Sequence, residues 1–74
     1  MALAKSRKIK VVGRQYQWKV STNGRLHLAI LDPKSNRKLI VYFRVETVVT
    51  PSLVRAFIEE AEAFGWTGQI RWER

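Results

Sequence analysis

From Lys8 onward, hydrophobic and polar positions alternate with a period of two. Ile9 and Val11 alternate with Lys8 and Lys10, and Tyr16, Trp18 and Val20 with Gln15, Gln17 and Lys19. Leu26, Leu28 and Ile30 then alternate with His27 and Ala29. Such spacing marks strands that turn one face to a core and the other to solvent. The apolar parity changes from odd to even around Gly13. Either a Gly13-Arg14 turn closes a hairpin pairing Val11 with Tyr16 and Ile9 with Trp18, or one long strand bends through a bulge at Gly13. Both keep the same five side chains on one face.

The next turn is constrained by the need to keep Val20 and Leu26 on a common face. A two-residue Asn23-Gly24 turn would set Val20 opposite His27 and split the core. A three-residue Thr22-Asn23-Gly24 loop, with Gly24 left-handed, pairs Val20 with Leu26, Trp18 with Leu28 and Tyr16 with Ile30. Asp32-Pro33-Lys34-Ser35-Asn36 reads as a turn by composition. Lys38 to Val45 is the strongest β segment, with Leu39, Val41, Phe43 and Val45 facing the core and Ile40, Tyr42 and Arg44 facing away.

Thr50-Pro51 then starts a helix, with Thr as N-cap and Pro at the first helical position. Leu53, Val54, Phe57, Ile58, Ala61 and Phe64 form one apolar stripe, and Gly65 is a natural C-terminal stop. Gln69 to Glu73, with Ile70 and Trp72 alternating, predicts a short last strand. The expected fold is α+β: an antiparallel β-meander of four to five strands with one amphipathic helix packed on one face. Residues 8–74 form the domain, and residues 1–7 read as a flexible basic arm.

Composition narrows the functional classes. At 74 residues the chain is one domain, and its 46% hydrophobic content is in the globular range. Cysteine is absent, which removes disulfides, thiolate nucleophiles and Cys-ligated zinc. The N-terminus has cations but no apolar run behind them, and Leu39 to Val49, the longest apolar stretch, is interrupted by Arg44 and Glu46. Neither a secretory signal nor a membrane span is expected, so a cytoplasmic location is the reading.

Catalysis needs convergent reactive groups. The chain has one His, His27, on the outer face of its strand, and one Asp, Asp32. There is no phosphate loop, metal-spaced His pair or nucleophile elbow. No enzyme activity, cofactor or small-molecule substrate is expected. Glu59, Glu60 and Glu62 cluster on the helix face away from the stripe, where the helix dipole prefers cations. Either Arg55 and the C-terminal cations screen them, or they meet a basic partner surface.

Charge is the main compositional signal. The formal net charge is +8 and it is unevenly spread. Residues 1–44 hold eleven cations and one anion, a net of +10, whereas residues 45–74 hold three cations and five anions, a net of −2. The strands are basic and the helical half mildly acidic, which suggests a polyanionic partner such as nucleic acid. With the helix on one face, the other would present Lys8, Lys10, Gln15, Gln17, Lys19, His27, Ala29, Ile40, Tyr42 and Arg44. The candidate binding residues are Lys8, Lys10, Gln17, Lys19, His27, Ile40, Tyr42 and Arg44: cations for phosphates, Tyr42 for stacking, Gln and Lys for base edges. The competing reading takes Ile40, Tyr42, Ala29 and Val12 as an apolar patch for a protein partner or a second copy in a homodimer. Trp66 and Trp72 either extend that patch or close the edge of the core.

Three runs carry a resemblance: Arg14-x-Tyr16-x-Trp18, Val49-Thr50-Pro51-x-x-Val54 and Ala61-x-x-x-Gly65-Trp66. Together they resemble a pattern in small bacterial proteins of unassigned function. The resemblance implies the meander-plus-helix fold and a bacterial or phage source, with no activity and no site residues.

Overall fold

The computed structural model of the chain describes residues 6–22 and 24–74. The expected basic arm therefore falls mostly outside the described residues, and Arg7 already belongs to the first strand. Five strands, β1 (Arg7–Val11), β2 (Arg14–Ser21), β3 (His27–Asp32), β4 (Arg37–Tyr42) and β5 (Gln69–Glu73), lie side by side in chain order, with helix α1 (Pro51–Phe64) between β4 and β5. The first four strands form an antiparallel meander, but β5 runs parallel to β4, from Lys38 opposite Gln69 to Tyr42 opposite Glu73. The sheet is therefore mixed rather than wholly antiparallel. The cause is the helix: a crossover connection returns the chain to the end from which β4 started, so the next strand runs the same way.

β1 and β2 form a hairpin, but its two central residues are Val12 and Gly13, not Gly13 and Arg14. Val11 pairs with Arg14 and Ile9 with Tyr16. Both central residues have positive φ, 49° and 76°, as a two-residue turn matched to the right-handed strand twist requires. Gly13 tolerates that conformation, whereas Val12 is β-branched, strained there and 91% exposed. Val12→Asn should therefore stabilise the chain by about 1 kcal/mol, seen as a higher urea midpoint. An unchanged or lower midpoint would contradict the strain.

The β2–β3 loop is also longer than expected, running from 22 to 26, and its expected member Asn23 lies outside the described residues. Val20 pairs with Leu28 and Trp18 with Ile30, a shift of two residues. Leu26 does not pair with β2: its carbonyl accepts a hydrogen bond from Phe43 N at 3.2 Å, and its side chain packs partly against the core. A shift of two preserves the faces, so the core composition survives the change of register.

At the third turn Asp32 pairs with Arg37, and the Asp32 carboxylate accepts from the backbone N–H groups of Lys34 (3.2 Å) and Ser35 (3.4 Å). β4 stops at Tyr42. Phe43 is buried, but Val45 is 71% exposed rather than in the core, because the chain has by then left the sheet for the crossover. Thr50 caps α1 by accepting from Leu53 N, and Gly65, at φ 94°, donates to the carbonyls of Ala61 and Glu62. Val54, Phe57, Ile58 and Ala61 are buried, and Leu53 packs partly against them. Phe64 is 73% exposed, contrary to its place in the stripe. Gly65 turns the chain so that Trp66, 2% exposed, closes that end of the core instead. Its indole N–H donates to Lys38 O, and Trp72 packs half-buried beside Phe57.

The core thus lies between one face of the sheet and α1, built from Leu28, Ile30, Leu39, Val41, Val54 and Ile58. Among the described residues the opposite face carries no helix. None of the helices is long and apolar enough to cross a membrane among the described residues.

Candidate functional site

Strand pairing fixes which side chains neighbour one another on the helix-free face. Side chains alternate along each strand, so residues paired across the strands form rows. One row is Lys8–Gln17–Leu31–Lys38–Gln69. The next is Lys19–Ala29–Ile40–Arg71, and a third is Ser21–His27–Tyr42–Glu73. Lys10 and Gln15 pair beyond the first row. Seven of the eight expected binding residues, all but Arg44, therefore share this face. Arg44 follows the end of β4 and reaches its rim, with Nε 3.7 Å from a carboxylate oxygen of Glu73.

The middle of the face is a shallow depression of about 160 Å³, lined by Gln17, Lys19, Ala29, Leu31 and Lys38 among others. Ile40, expected as an exposed patch residue, is only 9% exposed. It sits between Ala29 and Arg71 across the strands and between Lys38 and Tyr42 along its own. Val12 belongs to the turn and not to this face. The exposed apolar patch is accordingly smaller than the sequence suggests, and cations surround what remains of it.

Tyr42 stands at the end where β3, β4 and β5 meet. Its ring is 5.3 Å from that of His27, tilted by 43°, and the Arg25 guanidinium lies 5.3 Å from the ring centroid on the ring face. His27 is fixed by a 2.9 Å hydrogen bond between Nδ1 and the carbonyl of Arg25. Arg25 Nη2 also lies 3.3 Å from Glu73 Oε1. Sequence reasoning missed Lys38, Arg71, Arg25 and Glu73. Lys38 and Arg71 were legible by parity, since they alternate with Leu39 and with Ile70 and Trp72. Arg25 and Glu73 are 48 residues apart, and no local pattern joins them.

On the helix side lies a second polar cluster, which the sequence did not reveal. Asp32, read as a turn residue, is fully buried on the core face. It accepts from Arg14 Nη1 at 2.8 Å and from Arg37 Nε and Nη2 at 3.0 and 2.7 Å. Arg37 also donates to Glu62 Oε1 and Oε2 at 2.9 and 2.8 Å and to Trp66 O at 2.9 Å, so all five of its donors are used. The Tyr16 hydroxyl donates to Glu62 at 2.5 Å, and Tyr16 stacks on Trp66 with ring planes 13° apart. Glu62 therefore turns toward the sheet and not away from it. Glu60 is screened by the C-terminal Arg74, as the first of the two expectations had it. A hollow of about 460 Å³ opens beside this cluster, but of its polar lining Arg14, Tyr16, Arg37 and Glu62 are already engaged in hydrogen bonds.

These contacts set the protonation of the cluster. The Arg37 hydrogen bond holds Glu62 below the usual carboxylate range, and burial opposes it. Burial pushes Asp32 up, but hydrogen bonds from Arg37 and Arg14 outweigh it and leave its carboxyl lowered. Burial and the Glu62 hydrogen bond raise Tyr16 to about 12. The lowered carboxyls favour the folded state above the ordinary carboxylate pKa of about 4, and that stability is lost as pH falls through their folded values. Tyr16 contributes stability below about pH 10, its ordinary value, which is lost as pH rises toward 12. Urea midpoints should therefore fall in acid below about pH 4 and again above about pH 10. A flat acid limb would contradict the carboxylate assignments.

Among the described residues no group of three or more His, Cys, Asp or Glu is placed to hold a metal ion. Compared with family models, curated proteins and solved structures, the chain matches none. The helix-free face is the surface whose cations are left outside the ion pairs of the described residues. It carries cations, the half-buried ring of Tyr42 and the amide of Gln17.

Proposed function

We propose that the chain is a non-catalytic binding module that takes nucleic acid on the helix-free face of its sheet. The observation that carries this reading is the segregation of charge. Lys8, Lys10, Lys19, Lys38 and Arg71 share that face, and none is engaged in an ion pair among the described residues. Asp32, Glu60 and Glu62 are paired on the helix side, leaving Glu73 as the acidic member of the three rows. Long flexible cations around a shallow floor suit a phosphate backbone, and an exposed strand surface suits unstacked bases better than a duplex groove.

The alternative is a protein-interaction or self-associating module. The near-complete burial of Ile40 and the ring of cations weaken it, because like charges would face each other across a dimer of this face. Salt dependence tests the choice. Fluorescence anisotropy of a labelled oligothymidylate should report binding at low salt that weakens with a log–log slope of about −2 to −4, roughly −0.7 per phosphate neutralised. Binding indifferent to salt, or no binding at low salt, would refute the reading.

A further inference from the structure

Glu73 is the acidic residue that interrupts an otherwise basic surface, and its position is specific. Its carboxylate lies 3.3 Å from Arg25 Nη2 and 3.7 Å from Arg44 Nε, so two guanidinium groups from separate loops converge on one anion. The same Arg25 group lies over the ring of Tyr42, which is paired with Glu73 across β4 and β5. An anion held by two arginines beside an aromatic ring has the components of a nucleotide subsite: fork-shaped donors for a phosphate and a plane for its base.

We propose that Arg25 and Arg44 form a phosphate subsite for single-stranded nucleic acid beside Tyr42, and that Glu73 occupies it in the free chain as an internal counter-anion. This rests on the nucleic-acid reading above. The occupancy is easily reversed, because the arginine side chains are 51% and 71% exposed and exposed ion pairs contribute little stability. A backbone phosphodiester entering the subsite matches the carboxylate in charge and in strong acceptor oxygens, and it arrives tethered to a strand already held by the neighbouring cations, which favours it over Glu73. It draws Arg25 from its place over Tyr42, and the ring face that Arg25 covered becomes available to a base. Glu73 thus sets the threshold for binding at this end of the face: weak anions leave the pair closed, and a phosphate backbone anchored by Lys19, Lys38 and Arg71 opens it.

The test is Glu73→Gln, which keeps the side-chain shape at a half-exposed position, measured against Glu59→Gln, an equal charge change on the helix. Anisotropy titrations of labelled oligothymidylate at low salt should show Glu73→Gln binding about three- to tenfold tighter than the parent, with Glu59→Gln changing far less. The salt slope of Glu73→Gln should steepen by about 0.7, one further phosphate. Equal tightening by both variants would overturn the subsite, since net charge alone would explain it. No change in Glu73→Gln while the parent still binds would overturn it too and leave the wider reading standing. A parent that fails to bind the strand at low salt would overturn both. Duplex DNA gaining as much as the strand would overturn the stacking role of Tyr42.

Discussion

Arg37→Met should destabilise the chain by about 3–5 kcal/mol, the range expected when one partner of a buried ion pair is removed. The Arg37 side chain is 14% exposed and holds the fully buried Asp32 together with Glu62 of α1. Met matches the apolar stem of Arg37 but leaves the Asp32 carboxylate with only Arg14 and two backbone N–H groups. It also frees the helix from β4 at Glu62 and removes the guanidinium stacked 4.5 Å from the Trp66 ring. A domain this small has a margin of only a few kcal/mol, so the variant should be largely unfolded at 25 °C by circular dichroism. Arg14→Met is the comparison. Arg14 is 40% exposed and leaves Asp32 its stronger partner, so a loss of about 1 kcal/mol is expected. Equal effects of the two substitutions would show that the network does not act through Arg37.

The second large effect concerns binding. Lys19→Glu combined with Lys38→Glu should reduce affinity for a single strand by about a hundredfold at low salt, through lost phosphate contacts and added repulsion. The two lysines border the central depression in neighbouring rows of the face, so a strand crossing it cannot avoid both. Both are exposed in pairing positions that do not involve the core, so unfolding should be unchanged within about 0.5 kcal/mol. Arg55→Glu, exposed on the helix, should weaken binding only a fewfold through net charge. Comparable losses from the helix and the sheet would place the contact elsewhere.

Much of this fold is legible from parity. Period-two alternation assigns each strand residue to a face, and a register error of two leaves that assignment intact. This is why the helix-free face carries the expected Lys8, Lys10, Gln17, Lys19, His27 and Tyr42 although both early turns differ from expectation. The helix and its stops are equally legible, because Thr50, Pro51 and Gly65 act locally. Turn registers are not, because they depend on contacts made elsewhere: Val12 accepts a strained φ, and Leu26 leaves β2 for Phe43. The direction of β5 follows from the crossover and not from its own five residues. The ionic cluster has no local signal at all, since Arg37 and Glu62 are 25 residues apart and Asp32-Pro33 reads as an ordinary turn. Arg25 and Glu73 were missed for the same reason.

The proposed function requires that the bare sheet face receive the strand. Amide chemical-shift mapping of the labelled chain, titrated with a short single strand at low and then high salt, tests it most directly. Shifts are expected at Lys19, Ala29, Lys38, Tyr42 and Arg71 that shrink as salt rises, with α1 unperturbed. Shifts confined to α1, or none on β2 to β5 at low salt, would contradict it.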